Sequence, residues 1–193
     1  MSLDPTLPQL QRLSLSFHAP EDRILLTGSD QHGKEHAYLI TRRLLIRLLP
    51  KLLEWLANQG QAPAHLNEGQ RDELNRMRHW QSVRQQEQQA AATPAPASAV
   101  APTPAASAPP SAPLLVRQVA FTYLKQSLLV SLIEEKDGPV CAMVKLQATQ
   151  AHWLVNRLRR FGEVAQWDIP STSIGWLHDE LDTQGAPASI ILH

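Results

Sequence analysis

With one cysteine, Cys141, among its 193 residues, the chain can form no intramolecular disulfide, and a lone thiol suits a reducing compartment. The expectation is a cytoplasmic protein. Glycines number eight, and none stands in a Gly-x-Gly-x-x-Gly or Walker arrangement, so a phosphate-cradling loop and a bound nucleotide have no support. A Gly-x-Ser-x-Gly elbow is also missing, which removes the commonest signature of a serine nucleophile. Excess charge of either sign is lacking: 18 basic residues face 18 acidic ones, leaving no overall field to hold a polyanion or an anionic bilayer. The longest apolar run, 44–56, is broken by Arg47, Pro50 and Lys51 and falls short of the roughly 20 residues that a bilayer-spanning helix needs. Residues 1–10 hold no basic segment followed by an apolar one, so neither a secretory signal nor a membrane partner is expected.

What the chain does contain is one plan written twice. Residues 12–56 and 117–161 each read as three short strands followed by a helix, on either side of a tract, 90–113, made only of Ala, Pro, Ser, Thr and one Val. Such a tract cannot build a packed core and behaves as a semi-rigid tether. The chain therefore divides into a first β-β-β-α unit at 10–60, a polar amphipathic helix at 61–89, a disordered Ala/Pro linker at 90–113, and a second β-β-β-α unit with a C-terminal extension at 114–193. A unit of roughly 50 residues buries too little surface to be stable alone. The expected fold class is therefore α+β, with two antiparallel three-stranded meanders and their helices packed as a pseudo-dimer, sheets outside or edge to edge and leucine-rich helices between them. In outline this is similar to single-stranded DNA-binding folds of the Whirly type, although no residue motif carries the likeness.

In the first unit Leu13, Leu15 and Phe17 alternate with Ser14, Ser16 and His18, the period-two pattern of a half-buried strand. Strands around 24–26 and 36–40 follow, separated by a polar loop at 28–33. Thr41 is placed to cap a helix whose Leu44, Leu45, Leu48, Leu49, Leu52, Leu53 and Leu56 follow three-and-four spacing, with Pro50 predicting a kink. This face is wider than one sheet covers, so something else should cover the rest. The second unit runs through Val119, Phe121 and Tyr123, then Leu128, Val130 and Leu132, then 140–146, with Thr149 as the expected helix cap and Gly162 as its stop. Trp167 and Trp176 read as core anchors, a short helix is expected near 174–181, and 188–192 as an added edge strand.

Candidate chemistry is sparse. His32 and His36 are four apart, as in helical zinc motifs, but they flank Gly33 in a predicted loop and read as exposed loop histidines rather than metal ligands. His152 reads as a first-turn surface residue, and Cys141, inside a strand, as an inert small hydrophobe. The acidic cluster His178, Asp179, Glu180 and Asp182 points in several directions and reads as a solvated face. No catalytic residue, metal or cofactor is expected. The function expected by subtraction is a non-enzymatic protein-interaction module: an adaptor, assembly factor or small subunit. It would dock a protein partner through Leu74, Met77, Trp80 and Val83, or through exposed strand edges or the apolar face of the first helix; a homo-oligomer is a further case. The alternative is single-stranded DNA or RNA binding through Arg42, Arg43, Arg47 and Lys51 of the first helix and Arg157, Arg159 and Arg160 of the second.

Overall fold

Period-two alternation in the first strand of each half, and short apolar runs in the strands that follow, form hairpins where the sequence places them. The structure is a computed structural model that describes residues 7–59, 65–92, 112–135, 137–170 and 175–180, with only the backbone at 89–92 and 178–180. Strands β1 (Gln9–His18), β2 (Arg23–Ser29) and β3 (Glu35–Ile40) form one antiparallel meander, with Leu15 opposite Leu26 and Ile24 opposite Ile40. After helices α1 (Arg42–Gln59) and α2 (Glu68–Ala92) and a two-residue strand β4 (Leu114–Leu115), strands β5 (Gln118–Tyr123), β6 (Ser127–Ile133) and β7 (Val140–Gln147) form a second meander, followed by α3 (Ala148–Val164).

The two meanders are not separate sheets. All strands join one seven-stranded mixed sheet in the order β4-β3-β2-β1-β7-β6-β5. The fold is thus α+β, and its strand order departs from a simple meander. The seam is a short parallel pairing of Gln9 and Leu10 with Met143 and Val144, extended by the Met143 amide donating to the Pro8 carbonyl at 2.8 Å. A bulge makes this possible. Arg12 adopts φ of 48° where the β1–β2 register shifts between Gln11 and Ser14, so one strand serves β2 with its C-terminal part and β7 with its N-terminal part. A twofold pairing would set like strands together. Here the first strand of one meander meets the third of the other, so the halves stand side by side in succession. Strand β4 pairs in parallel with β3, a contact invisible to local patterning because its partner lies more than 70 residues away.

Helix α1 begins as expected, with the Leu44 amide donating to the Thr41 hydroxyl at 3.2 Å, and it continues through Pro50 to Gln59. All its predicted leucines are buried, together with Trp55. The helix does not lie between two sheets. Leu44, Leu48 and Leu52 of α1 and Leu154 and Leu158 of α3 meet Leu26, Ile40, Val130 and Leu146 around one cavity of about 30 Å³. A single core therefore draws on both meanders. The remainder of the wide α1 face is covered by α3 and by the 3-10 turn Gly175–Glu180, where the Trp176 indole donates to the Leu53 carbonyl at 3.4 Å. That face is consequently not a docking surface.

Two details of α3 differ from expectation. Its cap is Gln147, reciprocally bonded with Gln150, rather than Thr149, because the capping box needs a longer side chain three residues on. Nor does Gly162 stop the helix, which runs to Val164. A Cβ there would overlap the tip of Ile169, so the glycine lets 167–169 pack across the helix, where Trp167 is buried and donates to Asp22 at 2.7 Å. Gly162→Val is expected to destabilise the protein by about 2 kcal/mol, since overpacking outweighs the gain in helix propensity; urea denaturation checks this. The segment 188–192, proposed above as a strand, and 93–111 of the linker lie outside the described residues.

Candidate functional site

Helix α2 opens on a reciprocal box in which the Gln70 amide donates to the Asn67 side chain at 2.9 Å and the Asn67 amide donates to Gln70 at 3.0 Å. Its inward row is Asn75, His79 and Val83, all buried at four-residue spacing. The sequence pattern pointed instead to the three-residue row. Of those residues Val83 is buried against its own chain, Leu74 and Trp80 are half-buried, and Met77 is 48% exposed. The difference follows from what α2 packs on: α3 and the 3-10 turn present His152 and Trp176, so polar side chains of α2 turn inward to meet them.

Between α2 and α3 runs an open groove of about 570 Å³ whose walls include Met77, Trp80 and Arg84 from one helix and Asn156, Arg159 and Arg160 from the other, with Glu87 as its acidic member. Arg159 is held by Glu163 at 3.3 Å through one terminal nitrogen, while its Nε is buried with no partner among the described residues. The groove thus brings together residues that the sequence assigned to two different functions: Met77, Trp80 and Val83 to protein docking, Arg159 and Arg160 to nucleic acid.

The other basic candidates are elsewhere. Arg42 donates to the Asp168 carbonyl at 2.8 Å and so fastens the segment after α3. Arg43 and Arg47 line a second groove, of about 710 Å³, with Arg117, Gln118 and Asp137. Lys51 is paired with Glu54 at 2.9 Å, which raises its pKa, and Arg157 is exposed on α3. No lining residue is shared by the two grooves, so the arginines of α1 and α3 are split between them.

Beneath the first groove His79 and His152 face each other, Nδ1 to Nδ1 at 3.2 Å. His152, expected on the surface, is 7% exposed, because its register on α3 is set by the Gln147 cap and turns it toward α2. Burial first, then His152 and Arg159, push His79 down to about 3; burial first, then Arg78, pushes His152 down to about 4. The missed signal was the four-residue row 75, 79, 83, which is polar at two of its three positions and so does not register as an apolar stripe.

His36 lies in β3, where the strand around 36–40 was expected, but it is half-buried rather than exposed and meets Asp30 at 2.9 Å; His32 is the exposed one. The Asp30 carboxylate also accepts from the His32 and Lys34 amides, and the His36 bond, ahead of the others, holds its pKa down to about 2. This closes the β2–β3 turn. Cys141 is half-buried in β7, its thiol donates to the Leu132 carbonyl at 3.2 Å, and burial raises its pKa. Among the described residues no group of three or more His, Cys, Asp or Glu is placed to hold a metal ion, and no helix is long and apolar enough to cross a membrane. The side chains of His178, Asp179 and Glu180, and Asp182, lie outside the described residues. No family model, no curated protein and no solved structure matches this chain.

Proposed function

We propose that this chain is a non-enzymatic, cytoplasmic protein-interaction module, an adaptor, assembly factor or small subunit, that holds a protein partner in the groove between α2 and α3. The observation that carries the reading is the pairing, in one open groove, of an exposed Met77 with Arg84, Arg159 and Arg160. A thioether accepts apolar side chains of varied shape, and arginines recognise carboxylates through paired N–H donors. The matching occupant is a segment that presents one apolar anchor beside acidic side chains. Architecturally, the two meander-plus-helix halves are proposed as repeats of one plan, set next to each other in a shared sheet, with α2 and the tether as the insertion that adds the binding face.

The test is Met77→Asp. The residue is exposed, so its replacement should leave stability within about 0.5 kcal/mol of the original, while the stoichiometric complex isolated from the native host is lost. A complex that survives the substitution places the partner elsewhere, on the β5 edge or the second groove. The alternative, nucleic-acid binding, asks for a contiguous basic surface, and it predicts a nuclease-sensitive complex whose affinity falls steeply with salt.

A further inference from the structure

At the centre of the contact that fastens α2 to the rest of the fold lies a pair of imidazoles. His79 is fully buried and its ring lies 5.2 Å from those of Trp80 and His152 and 5.8 Å from that of Trp176. Two imidazoles that meet through the same type of nitrogen need one N–H and one lone pair between them. The accepting ring must then be neutral and protonated at Nε2, and the donating ring, protonated at Nδ1, is neutral as long as its own Nε2 takes no proton. A proton added to the accepting nitrogen sets two N–H groups against each other at 3.2 Å.

Nothing described around the pair compensates such a charge. Arg159 of α3 lies near His79 and Arg78 of α2 near His152, and the 3-10 turn contributes the Trp176 ring. Of the carboxylates on these two helices, Glu163 and Glu73 are engaged by Arg159 and Arg76, and none of Glu68, Asp72 and Glu87 is among the groups that act on either imidazole. The Nε2 of His79 is also buried without a partner among the described residues. Among the described residues helix α2 buries one apolar side chain outright, Val83, with Leu74 and Trp80 half-buried, whereas α1 buries eight residues in the shared core. The seam that holds α2 to α3 is therefore poor in buried apolar side chains and carries two proton-binding groups.

We infer that the His79–His152 contact is an acid-sensitive latch, whose protonation releases α2 from α3 and dismantles the groove while the sheet and its two core helices stay folded. The consequence for a partner rests on the function proposed above; the latch itself does not. Because burial lowers both imidazoles below the value of about 6.5 that they regain when α2 is released, the released state binds more protons. Docking is therefore complete above pH 6.5 and weakens as pH falls toward the docked values of about 4 and about 3. Within that window each histidine raises the opening constant about tenfold per pH unit, and the two together up to about a hundredfold.

Hydrogen exchange on the full chain between pH 7 and pH 4, corrected for intrinsic rates, tests this. Amides of α2 should lose protection at that slope while those of β6 keep theirs, and His79→Leu/His152→Leu should make α2 protection independent of pH. Should that variant fail to dock α2, an NMR titration of the original imidazoles decides, both remaining neutral at pH 5 wherever α2 is protected. The inference is overturned if α2 protection is flat from pH 7 to pH 4, if α2 and β6 open together, or if either imidazole titrates near 6.5 with α2 still docked. A wrong partner site would leave these exchange data unchanged, so the two proposals fail separately.

Discussion

Leu158→Ala should destabilise the protein by about 3 kcal/mol, the cost of deleting a fully buried leucine together with the cavity left behind, and it should do so for both halves at once. Leu158 is 0% exposed and borders the cavity shared by α1, β6, β7 and the strands of the first meander. Against a total stability on the order of 5–15 kcal/mol, such a loss shifts the urea midpoint strongly. Far-ultraviolet circular dichroism and tryptophan fluorescence should report one coincident transition, because Trp55 sits in the first half and Trp153 and Trp167 in the second, all in or against the same core. Two transitions, with only one moved by the substitution, would mean that the halves are independent units.

The second large effect is expected in binding. Arg84→Glu together with Arg160→Glu reverses two walls of the α2–α3 groove and should weaken the partner complex about a hundredfold at low salt, equivalent to about 2.7 kcal/mol. Both arginines are exposed, so part of the effect should vanish at high ionic strength, where rim charges are screened, and the fold's midpoint should hardly move. Lysine substitutions at the acidic positions of the partner should restore affinity. Unchanged affinity in the doubly reversed chain, with Met77→Asp still disruptive, would keep the groove and discard the acidic character of its occupant.

How much of this was readable beforehand depends on the range of the interaction concerned. Helix α1 was legible residue by residue, because its leucines repeat at helical spacing and its Thr41 cap is local. The six longer strands were legible from equally local signals: alternation in β1 and β5, and short apolar runs bounded by polar turns in the others. The joining of β1 to β7 was not, since it depends on a positive φ at Arg12 and a two-residue parallel pairing across more than 130 residues. Strand β4 is too short to show a pattern. The site suffered from a subtler fault. An apolar-stripe search on α2 finds 74, 77, 80 and 83, whereas the helix docks with Asn75, His79 and Val83. Polar side chains can form the inner row when the opposing surface is itself polar, and only the structure brings His152 of α3 to that position. The same shift leaves Met77, Trp80 and Val83 lining the groove, whereas Leu74 is not among its lining residues.

The most direct measurement is hydrogen exchange of the chain with and without its partner, isolated from the native host and mixed at saturating concentration near pH 7, where the histidine pair is neutral. Binding in the groove predicts new protection confined to α2 around 77–87 and to α3 around 156–160. Protection centred instead on β5, or around Arg43, Arg47 and Arg117, with α2 unchanged, would contradict it.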